Sequence, residues 1–180
     1  MKKIIVLILL LLLFLLPNFT QASIIARDPT MAIDMHIISN DNVDLGDAGY
    51  FYIPSVEIGV SLYYKLRGKD NFQKIVDAKN SALYLPSCRE SGCGYIVDHA
   101  SQGFDKIKEC KLGNYAYIKT EEDIRVFKCI EITYGENLCN DLLTIGHQYL
   151  TDVGWAELCC YTCSDSTQVN IIMLFFKEIK

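Results

Sequence analysis

Alternation of apolar and polar side chains is the dominant pattern along the chain, and it predicts a β-rich fold. The clearest case is residues 56–66, in which all six positions on one face are apolar while the other face is mostly polar. A strand with one side on a core and the other in solvent has this period of two. The polar connection 67–70 then predicts a hairpin to a partner strand over 71–79.

Weaker strand patterns flank this segment, at 32–38, 49–53, 82–85, 115–119 and 124–134. Residues 169–176 are almost wholly apolar and rich in β-branched and aromatic side chains, which predicts a buried terminal strand. Helical spacing appears once, at Leu138, Leu142, Ile145 and Tyr149. We therefore predict a mainly β fold of sandwich-like antiparallel sheets, stabilised by disulfides, with one short helix. Residues 61–86 also resemble the middle strands of fibronectin type III sandwiches, which implies the same architecture.

The first 22 residues have the pattern of a secretory signal peptide. Two lysines precede an apolar run over 4–16, and Thr20-Gln21-Ala22 forms a small-residue cleavage pattern. The apolar run is shorter than the roughly 20 residues that a membrane span needs. We predict a secreted, extracellular protein without a membrane span. Its folded part is predicted as a single β-rich domain over 23–180, or else a cysteine-free portion followed by a small cysteine-rich one.

The cysteines divide this domain into a cysteine-free half, 23–87, and a cysteine-rich half, 88–163, followed by the terminal strand. An even number of cysteines behind a signal peptide predicts four disulfides, because the secretory route is oxidising. Cys160 and Cys163 also have zinc-binding spacing, but sulfur sites of this kind belong mainly to reducing compartments, so we predict no metal and no cofactor. The predicted disulfide residues are Cys88, Cys93, Cys110, Cys129, Cys139, Cys159, Cys160 and Cys163.

Candidate catalytic residues are few. The chain has three histidines, His36, His99 and His147, and only His99 has a carboxylate beside it in the sequence. Neighbouring residues of an extended segment point to opposite faces, so Asp98 is not expected to orient the His99 ring. If the protein is an enzyme, His99 with Ser101 or with a carboxylate distant in sequence is the place to expect its site.

Charge and tyrosine content point to binding instead. Residues 23–180 carry 15 basic and 22 acidic side chains, a net charge of −7, which disfavours nucleic acid and anionic membranes as partners. Tyr63, Tyr115 and Tyr117 fall on strand faces where they could form an aromatic contact surface. The sequence thus favours a secreted, cysteine-rich, non-catalytic binding protein, whose partner is an unidentified extracellular protein or small ligand. The alternative is a secreted hydrolase-type enzyme with its site near His99.

Overall fold

The computed structural model describes residues 28–64, 72–86, 92–138, 141–144, 155–163 and 170–180. Two α-helices and nine strands lie in these ranges, with short 3-10 turns at Pro54–Val56 and Ile107–Glu109. The helices are α1 (Pro29–Asn40) and α2 (Phe72–Val76). The strands are β1 (Gly49–Ile53), β2 (Ile58–Tyr64), β3 (Ser81–Leu85), β4 (Gly94–Val97), β5 (Tyr115–Lys119), β6 (Ile124–Leu138), β7 (Asp141–Thr144), β8 (Leu158–Cys163) and β9 (Asn170–Glu178).

Eight of these strands close into a barrel. They neighbour one another in the order β5-β1-β2-β3-β4-β8-β9-β6, and β6 pairs with β5 to complete the ring, while β7 extends β6 as a hairpin. The pairs β2–β3 and β4–β8 are parallel, and the other pairings of the ring are antiparallel. Closure removes the unpaired sheet edges that an open sheet would expose.

The barrel interior is a single apolar core supplied by alternate residues of every strand in the ring. The segment that follows β4 also enters it, through Phe104, Ile107 and Cys110. The Phe104 ring lies against Phe51 of β1, with ring centroids 6.1 Å apart in an edge-to-face arrangement. This segment is therefore anchored in the core and is not a loose surface loop.

Helix α1 belongs to a compact unit separate from the unit Asn42–Ile179 that contains the barrel. Its start is specified locally, because Asp28 caps the backbone N–H groups of Thr30 and Met31 and Pro29 occupies the first turn. The prediction of a strand over 32–38 is wrong for this reason: the start signals for a helix outweigh a short apolar alternation. Neither described helix is long and apolar enough to cross a membrane.

The predicted β-rich class is confirmed, but the sandwich is wrong. Alternating patterns are the same in a sandwich and in a barrel, so the difference lies in the pairings that close the ring. The predicted hairpin after β2 is also wrong, because α2 carries the chain across and lets β3 pair with β2 in parallel. The predicted helix is replaced from Leu138 to Thr144 by the β6–β7 hairpin; Ile145 and Tyr149 lie outside the described residues.

The predicted disulfide framework is not found either. None of the six described cysteines forms a disulfide, and Cys88 and Cys139 lie outside the described residues. Cys110, Cys129 and Cys160 pack in the barrel core, where a thiol behaves as a small apolar side chain. Cys93 and Cys159 pack in a second apolar cluster with Tyr95, Met173 and Phe175. Core packing thus accounts for these five buried cysteines.

Phe104→Ala is expected to destabilise the fold by about 3 to 5 kcal/mol, because it removes a fully buried ring from the core. Leu112→Ala is the control, since Leu112 is 66% exposed and should change stability by less than about 0.5 kcal/mol. Urea unfolding of the full chain measures both values. Equal effects of the two substitutions would contradict the anchoring role given to Phe104.

Candidate functional site

The site lies where two neighbouring parallel strands end. In the register of β4 with β8, Val97 is opposite Tyr161. Just beyond this pair, a hydrogen bond of 2.6 Å from the Thr162 hydroxyl to the Asp98 carbonyl holds the strand ends together, and His99 and Cys163 are the next residues of the two segments. Neighbouring strands are separated by about 4.8 Å, so the backbones that carry His99 and Cys163 run close to each other at these strand ends.

Both side chains belong to the outer face of the barrel. Alternation along β8 sends Leu158, Cys160 and Thr162 to one side and Cys159, Tyr161 and Cys163 to the other, and the first side is the barrel core. In β4, Ile96 faces the core while Tyr95 and Val97 pack in the outer clusters. The same alternation, continued past the end of β4, assigns His99 to the face that carries Cys163.

A carboxylate distant in sequence contacts the imidazole. His99 Nε2 lies 3.2 Å from Asp77 Oδ1, just beyond the end of α2. The two side chains are 31% and 56% exposed, so the pair is open to solvent on one side. Helix α2 is seated over this region through Val76, which packs on Leu83 and Val97 with Tyr161 at the border of the cluster.

The residue before the histidine fixes the backbone of the site. The buried side chain of Asp98 accepts a hydrogen bond of 2.7 Å from the His99 N–H, and the Gly103 N–H lies nearby. Its other oxygen, Oδ2, is buried and has no partner. Burial raises the pKa of Asp98 to about 7, although the two N–H groups and His99 oppose the shift. Asp98 therefore holds the backbone of the turn after β4, whereas the carboxylate that contacts the His99 ring is that of Asp77.

Cys163 differs from the other described cysteines in exposure. It is partly exposed, whereas the other five are buried. Burial raises the pKa of Cys159 and Cys160 well above its usual value, and the contact with Cys110 together with burial does the same for Cys129. A thiol must ionise and be reached by its target to act as a nucleophile. Among the described cysteines, Cys163 meets the second condition best, and His99, at the end of the neighbouring strand, is the candidate base for the first.

An open polar cleft of about 610 Å³ borders the same loop. Ser101, Gln102 and Gly103 line it from the His99 side, and Lys79 and Asn80 line it from the segment that follows Asp77. Ser101, considered from the sequence as a partner for His99, is exposed and lines this cleft, and the contact to His99 comes from Asp77 instead.

The tyrosines singled out from the sequence do not come together. Tyr115 and Tyr117 lie on β5, where Tyr117 is fully buried and Tyr115 lies near the Lys128 ammonium, 5.8 Å from its ring centroid. Tyr63 lies on β2, two strands away, and burial together with Asp44 raises its pKa. His36 is exposed on α1, and His147 lies outside the described residues. The part of the chain that the structure describes contains no group of three or more potential metal ligands.

Sequence reasoning placed Cys163 in a disulfide and so missed its position beside His99. A usable signal exists: each residue comes two positions after a short, mostly apolar run, His99 after residues 94–97 and Cys163 after residues 158–161. Chemistry-bearing residues at strand ends are typical of functional sites. What the sequence does not reveal is that these two strands, about 60 residues apart in the chain, are neighbours.

Comparison with known proteins identifies the fold. No protein-family model matches the sequence, and no curated protein is similar to it. Among solved structures, the chain is similar to sortase C1 of Streptococcus agalactiae, with 16% identity and a TM-score of 0.51 over 73% of this chain and 66% of that one. Sortase C of Clostridium perfringens SM101 has 18% identity and a TM-score of 0.53 over 77% and 73%. Sortase C of Streptococcus pneumoniae, described for catalysis and pilin substrate specificity, has 16% identity and a TM-score of 0.54 over 74% of this chain and 68% of that one.

These similarities establish a sortase-like barrel fold, and they correct the functional prediction. A non-catalytic, disulfide-framed binding protein is wrong, because the structural neighbours are sortase C enzymes and the described cysteines form no disulfide. The preference for a protein without catalytic activity is corrected with it. At this level of identity the likeness is one of fold, so the activity has to be argued from the residues themselves.

Asp98→Asn is expected to change how stability depends on pH. Because the pKa of Asp98 is raised from 3.8 to about 7 in the folded state, its contribution is fully present below pH 4 and is lost as the pH rises towards 7. The loss amounts to about 4 kcal/mol from the size of the shift. Urea unfolding between pH 4 and 8 should show that Asp98→Asn removes this decline.

The control for this prediction is Asp105→Asn, an exposed carboxylate on the same loop. It should leave the pH dependence of the unmodified chain intact. A decline of the same size in the unmodified chain and in Asp98→Asn would show that Asp98 is ionised in the folded protein at neutral pH.

Proposed function

We propose that the protein is an acyl-transfer enzyme of the cysteine transpeptidase type, with Cys163 as the nucleophile and His99 as the general acid and base. The observation that supports the proposal is the β4–β8 pairing, which brings together the two strand ends that precede the partly exposed residues His99 and Cys163. The fold shared with sortase C enzymes supports the same class of chemistry.

The first half of the reaction uses both side chains. His99 takes the proton of the Cys163 thiol, and the thiolate attacks a peptide carbonyl carbon. The tetrahedral intermediate collapses when the carbon–nitrogen bond breaks, and the protonated imidazole gives its proton to the departing amine. The acyl part of the substrate is then held on Cys163 as a thioester, and one amine has left.

The second half decides between transfer and hydrolysis. In transfer, an incoming amine gives a proton to His99 and attacks the thioester, which forms a new amide and restores the thiol. In hydrolysis, water takes the place of the amine and a carboxylic acid is released. Both side chains are partly exposed, so water can also reach the thioester, and this keeps hydrolysis as the second candidate.

A protein substrate outside the cytoplasm fits this proposal. The signal-peptide pattern of residues 1–22 favours export. One structural neighbour is described for pilin substrate specificity, which supports a peptide segment of a surface protein as the acyl donor. For this chain we propose the class only, a peptide donor and an amine acceptor.

His99→Ala is expected to slow alkylation of Cys163 by iodoacetamide at pH 7 by at least about tenfold, because the thiol loses the base beside it. The measurement is the labelling rate of each cysteine, resolved by mass spectrometry of peptides from the reduced full chain. His36→Ala is the matched control, since His36 is exposed on α1, and it should leave the rate unchanged. Equal Cys163 rates in the unmodified chain and in His99→Ala would overturn the proposed pair.

Incubation with a peptide library should give a thioester on Cys163 that intact mass spectrometry detects. An added glycine-based amine should be joined to the acyl group as a new amide in the transferase, whereas only the free acid should form in a hydrolase. Cys163→Ala should abolish both products. A product that persists in Cys163→Ala would show that another residue carries the chemistry.

A further inference from the structure

A network of side chains fixes Asp77 at the end of α2. The Asp77 N–H donates to the Gln73 carbonyl over 2.9 Å, and the Gln73 amide donates to Asp77 Oδ1 over 2.7 Å. The Gln102 amide donates to the Asp77 carbonyl over 3.3 Å, and the Gln102 N–H donates to the His99 carbonyl over 3.1 Å. Two separate contacts, His99–Asp77 and Gln102–Asp77, therefore join the histidine loop to the end of α2.

The chemistry of the groups decides which imidazole nitrogen carries the proton. An ionised carboxylate only accepts hydrogen bonds, so the contact of 3.2 Å between Asp77 Oδ1 and His99 Nε2 requires a proton on Nε2. Nδ1 is then the unprotonated nitrogen of the neutral ring. The proton of the Cys163 thiol must go to this nitrogen.

Asp98 cannot do this work, although it precedes His99 in the chain. Its Oδ1 is occupied by the His99 backbone N–H and its side chain is buried on the side of Gly103. Another oxygen acceptor is therefore needed to hold the ring in the Nε2-protonated tautomer, and Asp77 Oδ1 lies 3.2 Å from Nε2.

We propose that Asp77 is a positioning residue that holds His99 in the Nε2-protonated tautomer and leaves Nδ1 available to the Cys163 thiol. The inference rests on the proposed function, which names Cys163 and His99 as the reacting pair. It adds a third member that acts through the imidazole and does not touch the substrate. The Gln73 amide holds this carboxylate in place, and the Gln102 amide holds the Asp77 backbone through its carbonyl.

The exposure of the pair allows this role to be separated from a structural one. A pair whose partners are 31% and 56% exposed contributes little to stability. Asp77→Ala should therefore shift the thermal midpoint by less than about 4 °C. A substitution of Asp77 that slows the reaction of Cys163 without lowering the thermal midpoint would indicate that Asp77 positions His99.

The direct test is nitrogen NMR of the histidine ring in the full chain labelled with ¹⁵N-histidine. The unmodified protein should show His99 as one tautomer with the proton on Nε2. Asp77→Ala should give a mixture of tautomers, and Asp77→Glu should restore part of the single form. Asp105→Asn, which removes a carboxylate charge from the loop that carries His99 and is not a contact of the ring, should leave the ring signals unchanged. Unchanged ring signals in Asp77→Ala would overturn the proposal.

Alkylation of Cys163 provides a second readout. Asp77→Ala should slow iodoacetamide labelling at pH 7 by about tenfold, the size expected when an acid-base group is misplaced but present, and Asp105→Asn should not change it. The two levels of inference fail differently. A normal rate in His99→Ala removes the catalytic pair, whereas a slow rate in His99→Ala with a normal rate in Asp77→Ala leaves the pair and overturns the role of Asp77.

Discussion

The parallel pairing of β4 with β8 is the constraint on which the rest of the structure depends. It links the strands of the first part of the barrel to the final pair β8 and β9, so the ring cannot close without it. The same pairing aligns the two strand ends that carry His99 and Cys163. The hydrogen bond from Thr162 to Asp98 spans 64 residues of sequence and fixes that alignment at the site itself. The β4–β8 pairing therefore both closes the barrel and brings together the two strand ends of the candidate site.

The site rests on the barrel interior as much as on the surface. Phe104 is buried in the core. The Asp98 carboxyl accepts a hydrogen bond from the His99 backbone N–H at the start of the turn that leads to Phe104. Gly103 fits because a Cβ there would come within 2.2 Å of Val60 Cγ1 and 2.4 Å of Asp98 Oδ2. Outside the barrel, Asp77 contacts the imidazole and is itself held by Gln73 and Gln102. In the proposed role, these contacts orient the ring, while the core holds the loop that carries His99.

Local patterns in the sequence were sufficient to predict the β-rich class, because burial on one side of a strand leaves its mark on alternate residues, as in β2 and β9. They could not predict closure, since the same alternation fits a sandwich. They also misplaced the helices: residues 32–38 were interpreted as a strand from their short apolar alternation, and the helix-start signals at Asp28 and Pro29 were not used. His99 was identified as the place to expect an enzyme's site, but Asp77 and Cys163 were not, because only tertiary pairing brings residues so distant in sequence together.

The order of strands around the ring has a consequence for how the protein is made. Until β8 and β9 leave the ribosome, the earlier strands can form only an open sheet, and its two free edges are β4 and β6. Unprotected edges of this kind invite pairing with other chains. The segment that carries Cys163, the proposed nucleophile, is also the one that closes the ring, so a chain stalled before β8 lacks that residue and is prone to aggregate.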